Sequence, residues 1–133
     1  MNFIVCDSTG VILRTGRCPD DMGAHQARPG ELVFSGIAND DTEYVDVLSG
    51  TVKPKTPILA TVDKNVVAAD DVDMVTITSL PLSATIEVYG PNGRSVYGVD
   101  DGLAQITFDT PGKYEVWLHA LHRIRERIVI DAN

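Results

Sequence analysis

Apolar and polar side chains alternate with a period of two through most of the second half of the chain. The alternation is clear in four segments, residues 84–89, 104–108, 114–120 and 124–130. Successive side chains of a β-strand point to opposite faces, so each segment is predicted to be a strand with one buried face. Turn signals recur about every 8–12 residues, which is typical of antiparallel sheets packed face to face. The pattern therefore predicts an antiparallel β-sandwich over residues 73–133.

The approach to the third of these strands carries a more local signal. Residues 109–114 read Asp-Thr-Pro-Gly-Lys-Tyr, a tight turn that leads directly into the strand. We expect this turn to place Tyr114 in the core. On the last strand, Ile124, Ile128 and Ile130 are expected to share the face opposite Arg125 and the other alternate residues.

The first half has weaker signals for short strands and one short helix. A turn at 7–10 predicts a hairpin, and Pro19 followed by Asp20 and Asp21 indicates the start of a helix that ends before residues 28–30. The strands are predicted over residues 2–6, 11–15, 31–34, 42–47 and 51–53.

Residues 54–72 contain two prolines and show no clear hydrophobic period, which favours an extended linker. The predicted organisation is a β-rich attachment module over 1–53, a linker over 54–72 and a sandwich over 73–133. The predicted fold class is mainly β, with a small N-terminal module of β-hairpins and a short helix before the sandwich.

Charge excludes several classes of partner. The chain has 133 residues and a formal net charge of −8, and a nucleic-acid or anionic-membrane partner would require a cationic surface. The apolar stretch at residues 3–5 is too short for a signal peptide, and no run approaches the ~20 apolar residues of a membrane helix. We expect synthesis in the cytoplasm, without membrane insertion.

No residue pattern predicts a catalytic residue, a cofactor site or a metal site. Cys6 and Cys18 are expected to be reduced, and the cysteines and histidines lack zinc-ligand spacing. Adjacent aspartates at 20–21, 40–41, 70–71 and 100–101 suit turns and helix starts better than a calcium loop, which needs oxygen ligands at alternate positions. His119 and His122 are expected on the surface.

Three arginines at alternate positions form the one candidate interface. Arg123, Arg125 and Arg127 would lie on one face of the last strand, with Trp117 on the same side of a neighbouring strand. Arginine binds carboxylates through its planar fork, and Trp117 could act as an aromatic anchor. A solvated face that protects a sheet edge explains the same spacing equally well.

Short motifs in both halves resemble small proteins encoded among the tail and tail-fibre genes of tailed bacteriophages and prophages. The C-terminal motifs resemble the immunoglobulin-like (Ig-like) ending of the same phage proteins. The motifs are FIV (3–5), GVILRTG (10–16), CPDDM (18–22), QA (26–27), PGE (29–31), NDDTEYV (39–45), GTVKPK (50–55), DGLA (101–104), FD (108–109) and PGKYEV (111–116). They are turn and strand-start motifs, so the resemblance implies a virion or virion-assembly part and no catalytic residues.

The leading hypothesis is a non-enzymatic virion structural protein, associated with the tail or tail fibre and present in several copies. Its expected partners are other virion proteins and copies of itself, with host-surface contact left open. A capsid decoration or head-fibre protein is the alternative within that class. A receptor- or carbohydrate-binding module using Trp117, Tyr89 and Tyr97 is the second hypothesis, and a small hydrolase using an aspartate pair is the third.

Overall fold

A computed structural model describes residues 1–133 as two compact units, Met1–Thr56 and Pro57–Asn133. Both are built from β-strands, and the only helix is a seven-residue 3-10 helix. No helix has the length and apolar character needed to cross a membrane. The mainly β fold class is confirmed.

The first unit contains five strands and the helix. Its elements are β1 (Asn2–Cys6), β2 (Ile12–Arg17), the 3-10 helix η1 (Asp20–Gln26), β3 (Leu32–Ser35), β4 (Glu43–Asp46) and β5 (Thr51–Pro54). β1 pairs with β2 in a hairpin and with β3 on its other side, which gives the order β2-β1-β3, and β4 pairs with β5. The predicted hairpins, helix and third strand are therefore present, with shifted bounds.

A small apolar cluster forms the main core of this unit. Ile4, Cys6, Ile12 and Val45 are its buried members. Cys6 lies opposite Ile12 because a bulge between Val5 and Cys6 shifts the register by one residue. A bulge of this kind leaves no mark in the hydrophobic pattern, so the sequence does not predict this pairing.

The second unit contains the remaining strands, and β6 (Thr56–Pro57) lies at the junction of the two units. The strands are β7 (Thr61–Val62), β8 (Val66–Val67), β9 (Met74–Thr78), β10 (Ala84–Gly90), β11 (Gly93–Val99), β12 (Ala104–Thr107), β13 (Gly112–His119), β14 (Arg123–Ile124) and β15 (Glu126–Ala132). A five-stranded sheet has the order β11-β10-β13-β15-β8, and a three-stranded sheet has the order β12-β9-β7.

Apolar side chains from both sheets form one core in the second unit. Ile77 on β9, Ile86 on β10 and Leu118 on β13 are almost completely inaccessible to solvent. Each of these strands also carries polar side chains at the alternate positions. The sandwich-like packing predicted from the alternation is confirmed.

Tyr114 is held in this core in the predicted way. Its hydroxyl donates a 2.7 Å hydrogen bond to the Thr110 carbonyl oxygen, and its ring centroid lies 4.5 Å from that of Phe108. A Cβ atom on Gly90 would lie 2.3 Å from the Tyr114 ring, so the neighbouring strand must carry glycine at this point.

Residues 57–72 differ from the predicted linker. β7 pairs with β9, β8 pairs in parallel with β15, and Ile58 and Val67 are buried in the sandwich core. The structural boundary therefore falls after Thr56. Two-residue strands are too short to show a period, which is why the pattern indicated an extended connection.

The last predicted strand is interrupted. Arg125 lies outside any strand and separates β14 from β15. As a result Ile124 is exposed, whereas Ile128 and Ile130 pack into the sandwich core as predicted. The expectation that all three isoleucines share one buried face was wrong for Ile124.

Candidate interaction surface

The outward-facing side chains of the five-stranded sheet form the candidate site, which we call the outer face. Strand alternation selects them, because the intervening residues of β10 and β13 are in the core. Pairing across the strands then sets which of them are neighbours. The outer face comprises Thr85, Glu87, Tyr89, Arg94, Val96, Glu115, Trp117, His119, Arg127 and Val129, with Arg125 beside them.

Trp117 lies near the middle of the outer face under an arginine. The guanidinium carbon of Arg125 is 4.9 Å from the centroid of the Trp117 ring, within the range of a cation–π contact. The indole nitrogen is 3.4 Å from Glu115 Oε2 and donates to it. The tryptophan is therefore fixed from above by Arg125 and at its edge by Glu115.

Arg127 completes this group through an ion pair. Its guanidinium Nη2 lies 2.5 Å from Glu115 Oε1, and Arg127 is directly opposite Trp117 in the β13–β15 register. Both partners are about half exposed, so solvent screens the pair and its contribution to stability is small. The pair orients Glu115 and neutralises its charge.

A second group surrounds Glu87 on β10. Its carboxylate accepts hydrogen bonds from the Tyr89 hydroxyl at 2.6 Å and from Arg94 Nε at 3.1 Å. His119 Nε2 lies 3.3 Å from the other carboxylate oxygen and forms an ion pair when the imidazole is protonated. The hydrogen bonds from Tyr89 and Arg94 lower the pKa of Glu87, and Glu87 in turn raises the pKa of Arg94.

A shallow depression of about 280 Å³ lies between the two groups. It is lined by Glu87, Tyr89, Glu115, Trp117, His119 and Arg125. Both carboxylates in it already have an arginine partner, whereas Arg125 has no carboxylate within ion-pair distance. Arg125 is thus the cation of this depression whose charge is uncompensated within the chain.

The structure brings together three of the four predicted interface residues. Trp117, Arg125 and Arg127 lie side by side on the outer face. Arg123 does not join them, because it belongs to β14 and donates a 3.2 Å hydrogen bond to the Pro57 carbonyl oxygen. The three arginines therefore do not form the single cationic stripe that their spacing predicted.

Sequence reasoning missed the acidic members of the outer face. Glu87 and Glu115 hold the tyrosine, arginine and tryptophan side chains in place, yet neither was singled out. The alternation of polar and apolar residues predicts that both glutamates point away from the core. It does not predict which strands are neighbours, so the pairing of these glutamates with arginines could not be predicted.

The aromatic set proposed for carbohydrate binding is divided between two faces. Tyr89 and Trp117 lie on the outer face, but Tyr97 is paired with the buried Ile86 and therefore points to the opposite side of the sheet. Tyr97 lines a separate groove of about 340 Å³ beside β12. These three side chains do not make one sugar-stacking platform.

Two of the four aspartate pairs contribute a turn contact, while Asp20 binds the N-terminal ammonium and Asp71 accepts a hydrogen bond from the Thr107 hydroxyl. Asp70 accepts hydrogen bonds from the amides of Val72 and Asp73, and Asp101 accepts one from the amide of Leu103. No group of three or more metal-ligating side chains occurs in the chain. Both cysteines are free thiols, as predicted, and burial raises the pKa of Cys6.

No family model, curated protein or solved structure matches this chain.

Proposed function

We propose that the protein is a non-enzymatic structural component of a tailed-phage virion, associated with the tail or tail fibre in several copies. The resemblance of its turn and strand motifs to phage tail-gene products supports the setting. The outer face supports the mode of action, because it presents an aromatic side chain and an uncompensated arginine in a shallow depression.

Binding at this face would centre on Trp117 and Arg125. Tryptophan and arginine are the side chains most often found at the energetic centre of protein interfaces. An acidic side chain of the partner would pair with Arg125, and the partner's apolar atoms would cover the Trp117 ring. Glu87 and Glu115 are already paired with Arg94 and Arg127, so Arg125 is the cation that remains for an acidic group of the partner.

The first test is mass spectrometry of purified particles of the phage or induced prophage that carries the gene. A few to some tens of copies per particle, measured against the major capsid protein, would support a tail, neck or fibre position. Hundreds of copies would favour the alternative, a capsid decoration protein. Absence from particles would overturn the virion assignment.

The outer face is tested in the same particles with the double variant Trp117→Ala, Arg125→Ala. We expect the variant chain to fold and to be lost from particles. The matched control is Arg17→Ala, which removes an exposed arginine from the first unit. Incorporation of the double variant at the control's level would show that this face is not the attachment surface.

Carbohydrate binding is the second candidate, supported by the exposed Tyr89 beside Trp117. A sugar stacking on Trp117 would have to displace Arg125 from the ring. Glycan-array binding by the purified chain that is lost in Trp117→Ala would favour this candidate. No glycan binding together with particle incorporation would favour the structural role.

A further inference from the structure

One edge of the five-stranded sheet is open. β11 pairs with β10 on one side and has no strand on the other. It is seven residues long, and every residue except Val99 is exposed. The unpaired backbone groups of such an edge form a template for another strand.

The hairpin between β10 and β11 determines which backbone groups are free. Gly90 and Gly93 close it around a two-residue turn, and a closing pair of this kind exchanges hydrogen bonds. Hydrogen-bonded and non-hydrogen-bonded pairs then alternate along the ladder. The amide and carbonyl groups of Arg94, Val96 and Gly98 therefore point away from β10, toward the open edge.

β11 lacks the features that usually block edge pairing. Its register with β10 is regular over all seven pairs, without a bulge, and it contains neither proline nor lysine. Its single charge, Arg94, is paired with Glu87. The edge strands β7, β8 and β12 are shorter, at two, two and four residues.

The charges near β11 indicate which strand it would accept. In an antiparallel pairing of two copies with Val96 opposite Val96, Arg94 lies opposite Gly98 of the second copy and next to its acidic turn at Asp100 and Asp101. A parallel pairing in register would instead place the two Arg94 side chains together. The antiparallel arrangement brings opposite charges together at both ends of the strand pair.

The same arrangement matches the free backbone groups. It aligns Arg94, Val96 and Gly98 with Gly98, Val96 and Arg94 of the second copy, so three pairs each exchange two hydrogen bonds. Gly98 offers room for the opposing Arg94, because no atom lies within 4 Å of the position its Cβ would take. The contact is self-complementary, as a two-fold symmetric dimer requires.

We propose that two copies of this chain pair through β11, antiparallel and with Val96 on the two-fold axis, to form one continuous ten-stranded sheet. This deepens the proposed function by specifying how copies of the chain contact each other. The test below uses the purified chain alone, so its outcome is independent of whether the protein is found in particles.

The experiment is sedimentation equilibrium of the full chain over a range of concentrations. We expect the wild type to approach twice the monomer mass of 14.4 kDa. Val96→Lys should raise the dimer dissociation constant about tenfold or more, because two lysines would meet on the axis. Val96→Glu should act in the same way, and mixing the two variants should restore the dimer through a lysine–glutamate pair.

The control is Val66→Lys, which introduces the same charge at an exposed residue of β8, on the opposite edge of the same sheet. We expect it to dimerise like the wild type. A wild type that remains monomeric up to its solubility limit would overturn the proposal. So would a dimer that Val96→Lys leaves unchanged, or a mixture of the two Val96 variants that fails to associate.

Discussion

The two compact units achieve a buried core by different means. The second unit packs two sheets over one cluster of sixteen buried side chains, whereas the largest cluster of the first unit has four. The first unit adds specific contacts, such as the backbone approach of Gly10 to Val45 and the Arg14–Glu31 ion pair. We infer that burial of apolar area contributes most of the stability of the second unit. In the first unit, single close contacts contribute a larger share of the stability.

The largest effect is expected from truncating the second core. Leu118→Ala should lower the free energy of unfolding by about 2–5 kcal/mol, because Leu118 is fully buried and its neighbours cannot fill the cavity. Trp117 is the only tryptophan, so its fluorescence during urea unfolding reports this unit. Leu48→Ala, at a fully exposed leucine, should leave the transition unchanged. A cost below about 1 kcal/mol for Leu118→Ala would contradict the inferred dominance of apolar area.

Gly10→Ala tests the close contact in the first unit. The new Cβ would lie 1.9 Å from the Val45 carbonyl oxygen, at a backbone φ of +95°, so β4 would have to move. We expect a loss of about 2–4 kcal/mol, measured by the labelling rate of the buried Cys6 thiol in a Cys18→Ser background.

The matched control for this contact is Gly30→Ala. Gly30 also has a positive φ, of +83°, but nothing lies within 4 Å of its Cβ position. We expect a smaller loss, of about 1 kcal/mol, from backbone strain alone. Equal effects at the two glycines would show that the contact with Val45 contributes nothing.

Tyr114→Phe examines a single polar contact inside the apolar core of the second unit. It removes the hydrogen bond to the Thr110 carbonyl oxygen while keeping the ring packed on Phe108. We expect a loss of about 1–2 kcal/mol in the Trp117 fluorescence transition. Tyr97→Phe, at a half-exposed tyrosine, should cost little. Matching losses in both variants would argue against a specific role for the hydroxyl.

The smallest effect concerns the dependence of the first unit on pH. The guanidinium of Arg14 and the amide of Arg28 hold the pKa of Glu31 at about 2, below its usual 4.5. The resulting stabilisation is therefore full above about pH 4.5 and is lost as the pH falls toward 2. Glu31→Gln should reduce the amide-exchange protection of β2 and β3 at neutral pH. The protection should also change less between pH 4.5 and pH 2 than it does in the wild type.

Asp21→Asn supplies the comparison for the pH experiment, because Asp21 is an exposed carboxylate of the same unit. It should keep the wild-type change in amide-exchange protection. A Glu31→Gln variant with the wild-type pH profile would show that the Arg14–Glu31 pair does not contribute.

Strand identity was predictable where the period of two is visible, as in β10, β12 and β13. β11 is seven residues long but exposed at every residue except Val99, so it shows no such period and was not predicted. In β10 and β13 the pleat alone assigns Ile86 and Leu118 to the core and Trp117 to the opposite side, whatever the rest of the chain does. The turn before Tyr114 was equally readable, since it depends on residues that are neighbours in sequence. The fold class followed from these local patterns.

Only the tertiary structure determined which strands are neighbours in a sheet. The pairing of β13 with β10 and β15 brought Glu87 and Arg127 beside Trp117, and the break at Arg125 removed Arg123 from the group. β8 joined the sheet through contacts between residues more than sixty positions apart. The sequence pattern determines the face of the strand from which a side chain points. Pairing between distant segments depends instead on the packing of the whole unit. The outer face and the open edge at β11 could therefore be recognised only in the folded structure.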